Sequence, residues 1–356
     1  MPDGSKHKKI LVAPLNWGLG HAARCIPLIR ALLLNNFEPI LASDGAALEF
    51  LKKEFPLLKY YELPKYAVEY AKRGRRLKYK LLRQTPKILK AVSKERKVVE
   101  EIIKKEGIEG IISDNRFGVR SKNVPSVYIT HQINVLSGST SLLTTGLHKK
   151  IIGKFDECWI PDYDDEGRLA GDLSKRSNFS IPVKYLGPLS RFSEGKANKD
   201  IDVLAILSGP EPQRGLFEEM LREELKLFEG NSILVKGIIE EAQQTSEAGK
   251  LKVVNFMLGN ELEETILRSK LVVSRSGYSS IMDLEALEAK AFFVPTPGQF
   301  EQEYLAERLK HMGIANYIQQ NEFSFKQLSA SGIYSGFEHK KTSKTNLNES
   351  LFDVFK

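Results

Sequence analysis

Short apolar runs, each closed by a small or polar residue and followed by a helical period, recur along most of the chain. Ile10–Ala13 reads as the first buried strand, and Asn16–His21 is the loop after it. A helix follows, with Ile26, Leu28, Ile29, Leu32 and Leu33 supplying apolar faces, and it ends near Asn35 and Asn36. Pro39–Ala42 is then a strand, Asp44–Phe55 a helix and Leu58–Glu62 a short strand. Gly110–Ser113, Ser126–Thr130, Glu157–Ile160 and Val183–Leu186 continue the series. Between Gly187 and Lys199 the chain turns rich in Gly, Pro, Ser and Lys, and the pattern restarts at Asp200. Ile201–Leu207 is a strand, a helix runs through Phe228, and Ser232–Lys236 and Lys252–Val254 are further strands. Leu271–Ser274, a helix over Ser280–Glu288 and Phe292–Val294 complete a βαβ unit, with Ile281, Leu284 and Leu287 on one helix face.

Strands alternating with helices predict parallel sheets, and 356 residues exceed one typical core. The predicted fold is α/β: two Rossmann-like domains facing each other across a cleft. The first spans residues 1–190, 191–200 is a linker, and 201–330 is the second domain. Residues 331–356 form a tail in which Asn346–Phe355 is expected to make a helix returning to the first domain.

Composition adds little until charge is mapped. Apolar residues make up 42% and charged residues 28%, as in ordinary soluble proteins. No apolar run of eighteen residues and no apolar signal-peptide core is present. Two cysteines, Cys25 and Cys158, suggest neither a disulfide framework nor a metal cluster, so a reduced cytoplasmic setting is expected. The net charge of +8 is local: Lys59–Lys105 holds 16 Lys/Arg against 5 Glu, which leaves the rest slightly acidic. Lys72–Arg83 has seven basic residues and no acid. A solvated helix face and a surface for anionic lipid or a lipid-linked acceptor, over Lys72–Lys97, are both open readings. Nucleic-acid binding is disfavoured, because no recognised motif accompanies the charge.

Ligands of such folds bind at the carboxyl ends of the strands. Gly18 and Gly20 leave room for a close approach there, and the helix opening at His21 turns its positive end to the gap. Asp114, His131 and Gln132 end two neighbouring strands at the same edge. An acid and two histidines suit proton transfer, although each could equally cap a loop. Ser274–Tyr278 and Thr296–Gln302 lie at the corresponding edge of the second half.

Ser274-Arg275-Ser276-Gly277, an acid six positions after the glycine, the Phe-Val-Pro strand end and Glu301-Gln302 resemble the donor-binding half of family 28 glycosyltransferases. Gly18-Leu19-Gly20-His21 is similar to that family's first glycine loop, and Ser208-Gly209 falls where its second lies. The resemblance covers roughly residues 10–320 and implies the glycosyltransferase B fold and a hexosyltransferase-type enzyme. It implies a nucleotide-sugar donor, UDP-linked, as co-substrate, with no other cofactor and no metal. By position, Ser276, Gly277 and Tyr278 would lie near the phosphates and Asp283 near the ribose. Gln302, beside Glu301, would face the sugar, and Phe256-Met257 the base. Asp283 is one methylene shorter than the usual glutamate and could also close a capping box with Ser280. The second loop, Gly-Pro-Glu-Pro-Gln-Arg, lacks the usual glycines, and Arg214 or Arg275 is expected to supply charge to the leaving diphosphate instead.

In the direct-displacement mechanism so implied, His21 or His131 is the base, with Asp114 orienting one of them. The acceptor is expected to be a glycan or lipid-linked hydroxyl, and the protein to sit in the cytoplasm, peripheral to the inner membrane face. Two alternatives stand beside this. Gly20–Cys25 also resembles the loop of a nucleotide-sugar hydrolase of sialic-acid-like sugar synthesis, and a non-catalytic basic surface-binding protein could use the same fold.

Overall fold

Every apolar run named above becomes a parallel strand in the computed structural model, which describes residues 7–66, 77–136, 141–338 and 347–356. The first sheet holds β1 (Lys9–Pro14), β2 (Glu38–Ser43), β3 (Tyr60–Glu62), β4 (Ile108–Asp114), β5 (Ser126–Ile129), β6 (Glu157–Ile160) and β7 (Val183–Tyr185). Its order is 3-2-1-4-5-6-7, all parallel. The second holds β8 (Ile201–Ile206), β9 (Ser232–Val235), β10 (Thr245–Ala248), β11 (Leu251–Val254), β12 (Ser269–Ser274), β13 (Ala291–Phe293) and β14 (Asn316–Tyr317). Its order is 10-11-9-8-12-13-14, and β10 alone runs antiparallel, as a hairpin on β11. Order reverses between β1 and β4 in one sheet and between β8 and β12 in the other. In open parallel sheets those reversals are where ligand crevices form.

The eight α-helices of the described residues are α1 (Gly20–Leu34), α2 (Gly45–Glu54), α3 (Leu77–Glu106), α4 (Ser141–Ile152), α5 (Gln213–Lys226), α6 (Gly259–Leu267), α7 (Tyr278–Ala286) and α8 (Phe300–His311). α1 is buried almost all round, because it packs on the first sheet and against the second domain; Ala22, Cys25, Ile26, Leu28 and Ile29 are fully covered. One apolar cluster includes these residues together with Tyr278, Ile281 and Met282 of α7, so the domains share a packed seam. The seam is close enough to restrict residue size. A Cβ on Gly20 would stand 2.9 Å from Ser279 Oγ, and one on Gly18 (φ +76°) would stand 3.5 Å from Gly209 Cα.

α3 carries the basic stretch from Leu77 onward, whereas residues 67–76, including Lys72 and Arg73, lie outside the described residues. Its inner face is held by a buried ion-pair network: Arg116 donates to Glu95 (2.6 Å) and to Asp44 (2.7 Å). The tail takes the form of a 3-10 helix, Glu349–Phe355, instead of an α-helix, and Asn346 lies outside the described residues. Phe352 packs on Phe37 and Trp159 of the first domain, and Lys8 Nζ donates to the Phe355 carbonyl at 2.9 Å.

Candidate active site

The two sheet reversals open into one cleft of about 530 Å³ between the domains. The loop after β1 brings Gly18, Gly20 and His21 to it, and the ends of β4 and β5 bring Asn115, His131 and Gln132. Ser208 and Gly209, Phe256 and Met257, Gly277–Ser280, Asp283, Glu301 and Gln302 line the opposite wall. Helices α1 and α7 both begin there, at Leu19 and Gly277, and neither has a side chain capping it. The first amides of each helix therefore lack intrahelical partners, and two positive helix ends converge on one space, which suits an anion.

On the first-domain wall, Arg24 is the hub. It projects from α1 one turn after His21, is 1% exposed, and grips Asp114 in a fork: Nε donates to Oδ2 at 2.5 Å and Nη2 to Oδ1. Burial alone would raise the Asp114 carboxyl, but Arg24 and His21 outweigh it and hold the group well below the usual carboxylate range. An ionised Asp114 needs donors, so the 2.8 Å contact to His21 Nδ1 is an N–H donating to Oδ1. Arg24 Nη2, 2.9 Å from that same Nδ1, is itself a donor and cannot share the proton. Nε2 of His21 is left as the lone-pair nitrogen of a ring that lines the cleft and is 18% exposed. Burial lowers the His21 pKa, with Asp114 opposing and Arg24 reinforcing. A neutral ring with its proton fixed on the far nitrogen is the form a general base requires.

His131 is different, and the expectation that either histidine could serve as base is corrected here. Arg24 Nη1 donates to its Nδ1 at 3.0 Å, which places the proton on Nε2, and Nε2–H donates to Glu301 Oε1 at 2.7 Å. Both nitrogens are committed. His131 and Gln132 instead join the domains through Glu301, which also accepts from Gln132 Nε2. Glu301 is thus taken up by the first domain.

Two further expectations on the second domain, for Arg275 and Arg214, need correction. Arg275 points away from the cleft: it is 1% exposed, lies 4.1 Å over the Phe217 ring, and donates to the Val294, Pro295 and Gln213 carbonyls and Gln320 Oε1. With four neutral acceptors and no carboxylate, burial pulls it down to about 9. Arg214 is also absent from the cleft wall, because Glu211 and Glu218, three and four residues away, hold it along α5. Ser276 turns its hydroxyl to the Gln302 carbonyl (2.7 Å), and Tyr278 donates to the Pro161 carbonyl across the domain seam (2.8 Å). What Ser276–Tyr278 present to the cleft is backbone and the open space beside Gly277.

Asp283 does line the cleft, but it caps no helix, since α7 starts at Tyr278. Its carboxylate accepts from Ser190 Oγ at 2.8 Å and faces Arg191 at 3.5 Å. Gln302 Oε1 accepts from the Thr296 amide at 2.8 Å, and the Phe256 carbonyl accepts from Gln243 Nε2 at 2.8 Å. Arg24 and Arg191 were not singled out from sequence. For Arg24 the available signal is a lone charge among Ala, Ala, Cys, Ile on an otherwise buried helix; a charge there requires a partner.

Two parallel-sheet domains whose glycine loops face each other across a cleft have the glycosyltransferase B fold. Residues 205–353 match the glycosyltransferase family 28 C-terminal domain. The chain is 25% identical over 328 residues to an uncharacterized glycosyltransferase of Methanopyrus kandleri, covering 88% of this chain and 90% of that one. It is 26% identical over 359 residues to the UDP-N-acetylglucosamine–N-acetylmuramyl-(pentapeptide) pyrophosphoryl-undecaprenol N-acetylglucosamine transferase of Clostridium tetani, covering 97% and 94%. Among solved structures, the glycosyltransferase of kitacinnamycin superposes with a TM-score of 0.60 at 14% identity, covering 92% of this chain and 90% of that one.

Proposed function

We propose that this chain moves a hexosyl group from a UDP-linked sugar to a hydroxyl of a lipid-linked cell-envelope glycan. The carrying observation is His21, whose Nδ1 is held by Asp114 at 2.8 Å while its Nε2 faces the cleft beside two uncapped helix ends. In the proposed step, His21 Nε2 takes the acceptor O–H proton as that oxygen bonds to the anomeric carbon. The bond from that carbon to the β-phosphate oxygen breaks, and UDP leaves with the electron pair, which inverts the anomeric centre. The α7 amides and the Gly209 loop meet the charge developing on the diphosphate. Among the described residues no helix is long and apolar enough to cross a membrane. Exposed Lys87, Lys90, Lys94 and Lys97 on α3 support attraction to an anionic inner-face lipid surface. The Clostridium tetani relative, a UDP-N-acetylglucosamine-dependent transferase acting on a pyrophosphoryl-undecaprenol acceptor, supports UDP and a polyprenyl pyrophosphate acceptor.

A thermal-shift panel of nucleotide sugars, followed by a transfer assay on polyprenyl-pyrophosphate glycans, tests the reading. A UDP-sugar is expected to raise the melting temperature, and His21→Ala to lower turnover roughly 10²–10⁴-fold while donor affinity stays within a few fold. Free sugar released equally fast without acceptor would instead establish a hydrolase. No shift with any nucleotide sugar would leave only a surface-binding protein.

A further inference from the structure

His131 takes no part in the proton transfer, yet it is buried and both its nitrogens are bonded. It and Gln132 converge on one group of the other domain, the Glu301 carboxylate in the first turn of α8. Both donors stand on fixed supports. Arg24 holds the His131 ring through Nδ1, and the Gln132 backbone amide donates to Thr130 Oγ1 at 3.1 Å. Glu301 takes one bond on each oxygen: Oε1 accepts from His131 at 2.7 Å and Oε2 from the Gln132 side chain. A carboxylate has about four lone-pair sites, so about two are still unused. The Glu301 side chain lines the cleft and is 27% exposed, which gives those sites access to a ligand. Burial alone would raise its carboxyl, but His131, His21 and Arg24 outweigh it and keep the group below its usual value. Ionised, Glu301 can only accept. Its neighbour Gln302 also lines the cleft but is held within the second domain, by the Thr296 amide and Gln299 Oε1. Two adjacent polar side chains on one wall are thus fixed from opposite domains.

We propose that His131 and Gln132 are positioning residues for the donor sugar: from the first domain they aim Glu301 at hexose hydroxyls in the cleft, so the sugar is read only while the domains are closed. The inference rests on the transferase reading and adds to it the link between domain closure and sugar recognition. Neighbouring hydroxyls of a hexose are O–H donors that one carboxylate accepts together. A freely rotating glutamate would lose side-chain freedom on meeting them, whereas one already clamped does not. Arg24 extends the relation. It donates to Asp114, which orients the base, and to His131, which orients Glu301. One guanidinium thereby sets the groups that face both reacting partners.

Calorimetric titrations of the full chain with UDP and with UDP-N-acetylglucosamine test this, scored as the ratio of the two dissociation constants. Gln132→Met removes one donor to Glu301 at similar size and leaves Arg24 untouched. It is expected to weaken UDP-N-acetylglucosamine about tenfold and UDP by at most about twofold. His131→Phe keeps a ring beside Tyr278 and is expected to lose the same ratio. His131→Gln, whose amide can accept from Arg24 and donate to Glu301, is expected to recover part of it. Glu301→Ala should reduce the ratio at least as far, and adding Gln132→Met to it should change nothing more, because Gln132 acts only through Glu301. A further loss in that double variant overturns the proposal, as does an equal loss for both ligands, or none, in Gln132→Met and His131→Phe. If the parent protein binds UDP and the ratio does not move, only this inference falls. If the parent binds neither ligand, the transferase reading falls and this one with it.

Discussion

The rings of His131 and Tyr278 stack across the domain seam, centroids 4.2 Å apart and planes 15° from parallel. His131 is fixed from both nitrogens, and Tyr278 is fixed by its hydroxyl on the Pro161 carbonyl, so each ring orients the other. Tyr278→Ala is expected to cost about 3–5 kcal/mol in urea unfolding, as for other large buried aromatics. It should also raise the radius of gyration in X-ray scattering, because the seam loses its main ring contact. An unchanged radius would mean that the glycine-loop contacts alone hold the domains together.

Arg24 is predicted to matter as much as the residue it serves. Arg24→Met leaves Asp114 buried without its fork, a loss of about 3–5 kcal/mol. Adding Asp114→Leu removes the stranded charge and should restore much of that stability without restoring turnover. Recovery of turnover in the double variant would show that His21 needs no orienting carboxylate.

The pH profile follows from His21. Because burial lowers its pKa from 6.5, the ring is neutral at pH 7 and can accept a proton. Activity should be full above the depressed value and fall as pH drops through it, giving an acid limb in kcat/KM below 6.5. An acid limb above 6.5 would assign the base elsewhere.

His148 makes a separate prediction about stability. Burial pulls it from 6.5 to about 4, with the Gln132 carbonyl opposing and His131 assisting. Above pH 6.5 the ring is neutral in folded and unfolded chains alike, and stability does not depend on it. Between 6.5 and 4 the unfolded chain binds a proton that the folded chain refuses, so stability falls, by about 3 kcal/mol in total. Urea titrations at pH 7 and pH 4 should show this extra loss in the parent protein and not in His148→Phe. Equal losses in both proteins would place His148 in solvent.

Twelve of the fourteen strands were legible as mainly apolar runs, and β1, β4, β5, β8, β12 and β13 among them stop at polar or small residues on the cleft side. The placement of His21, Asp114 and Gly18 at the sheet edge followed from that, and that of Gly209 from the family resemblance. β10 was not legible: Thr245–Ala248 is exposed at all four positions, so no apolar signal marks it. Arg275 and Arg214 were expected at the cleft because each lies in a loop at its edge. Side-chain direction decided otherwise, through Phe217 and three carbonyls in one case and two helical glutamates in the other. His131 was placed correctly by its strand, but only long-range partners, Arg24 and Glu301, reveal that it has no free nitrogen.

The tail has a consequence for the order in which the protein can be built. Phe352 and Phe355 fill the first domain's core against Phe37 and Trp159, and Phe355 occupies the space a Cβ on Gly110 would need. On the ribosome, β1–β7 emerge some 160 residues before these aromatics do. The second domain has its own sheet and can close while the first still waits for its last two rings. The half that carries His21 is therefore completed last, so a chain cut short before Phe352 carries a finished second domain beside an unfinished first.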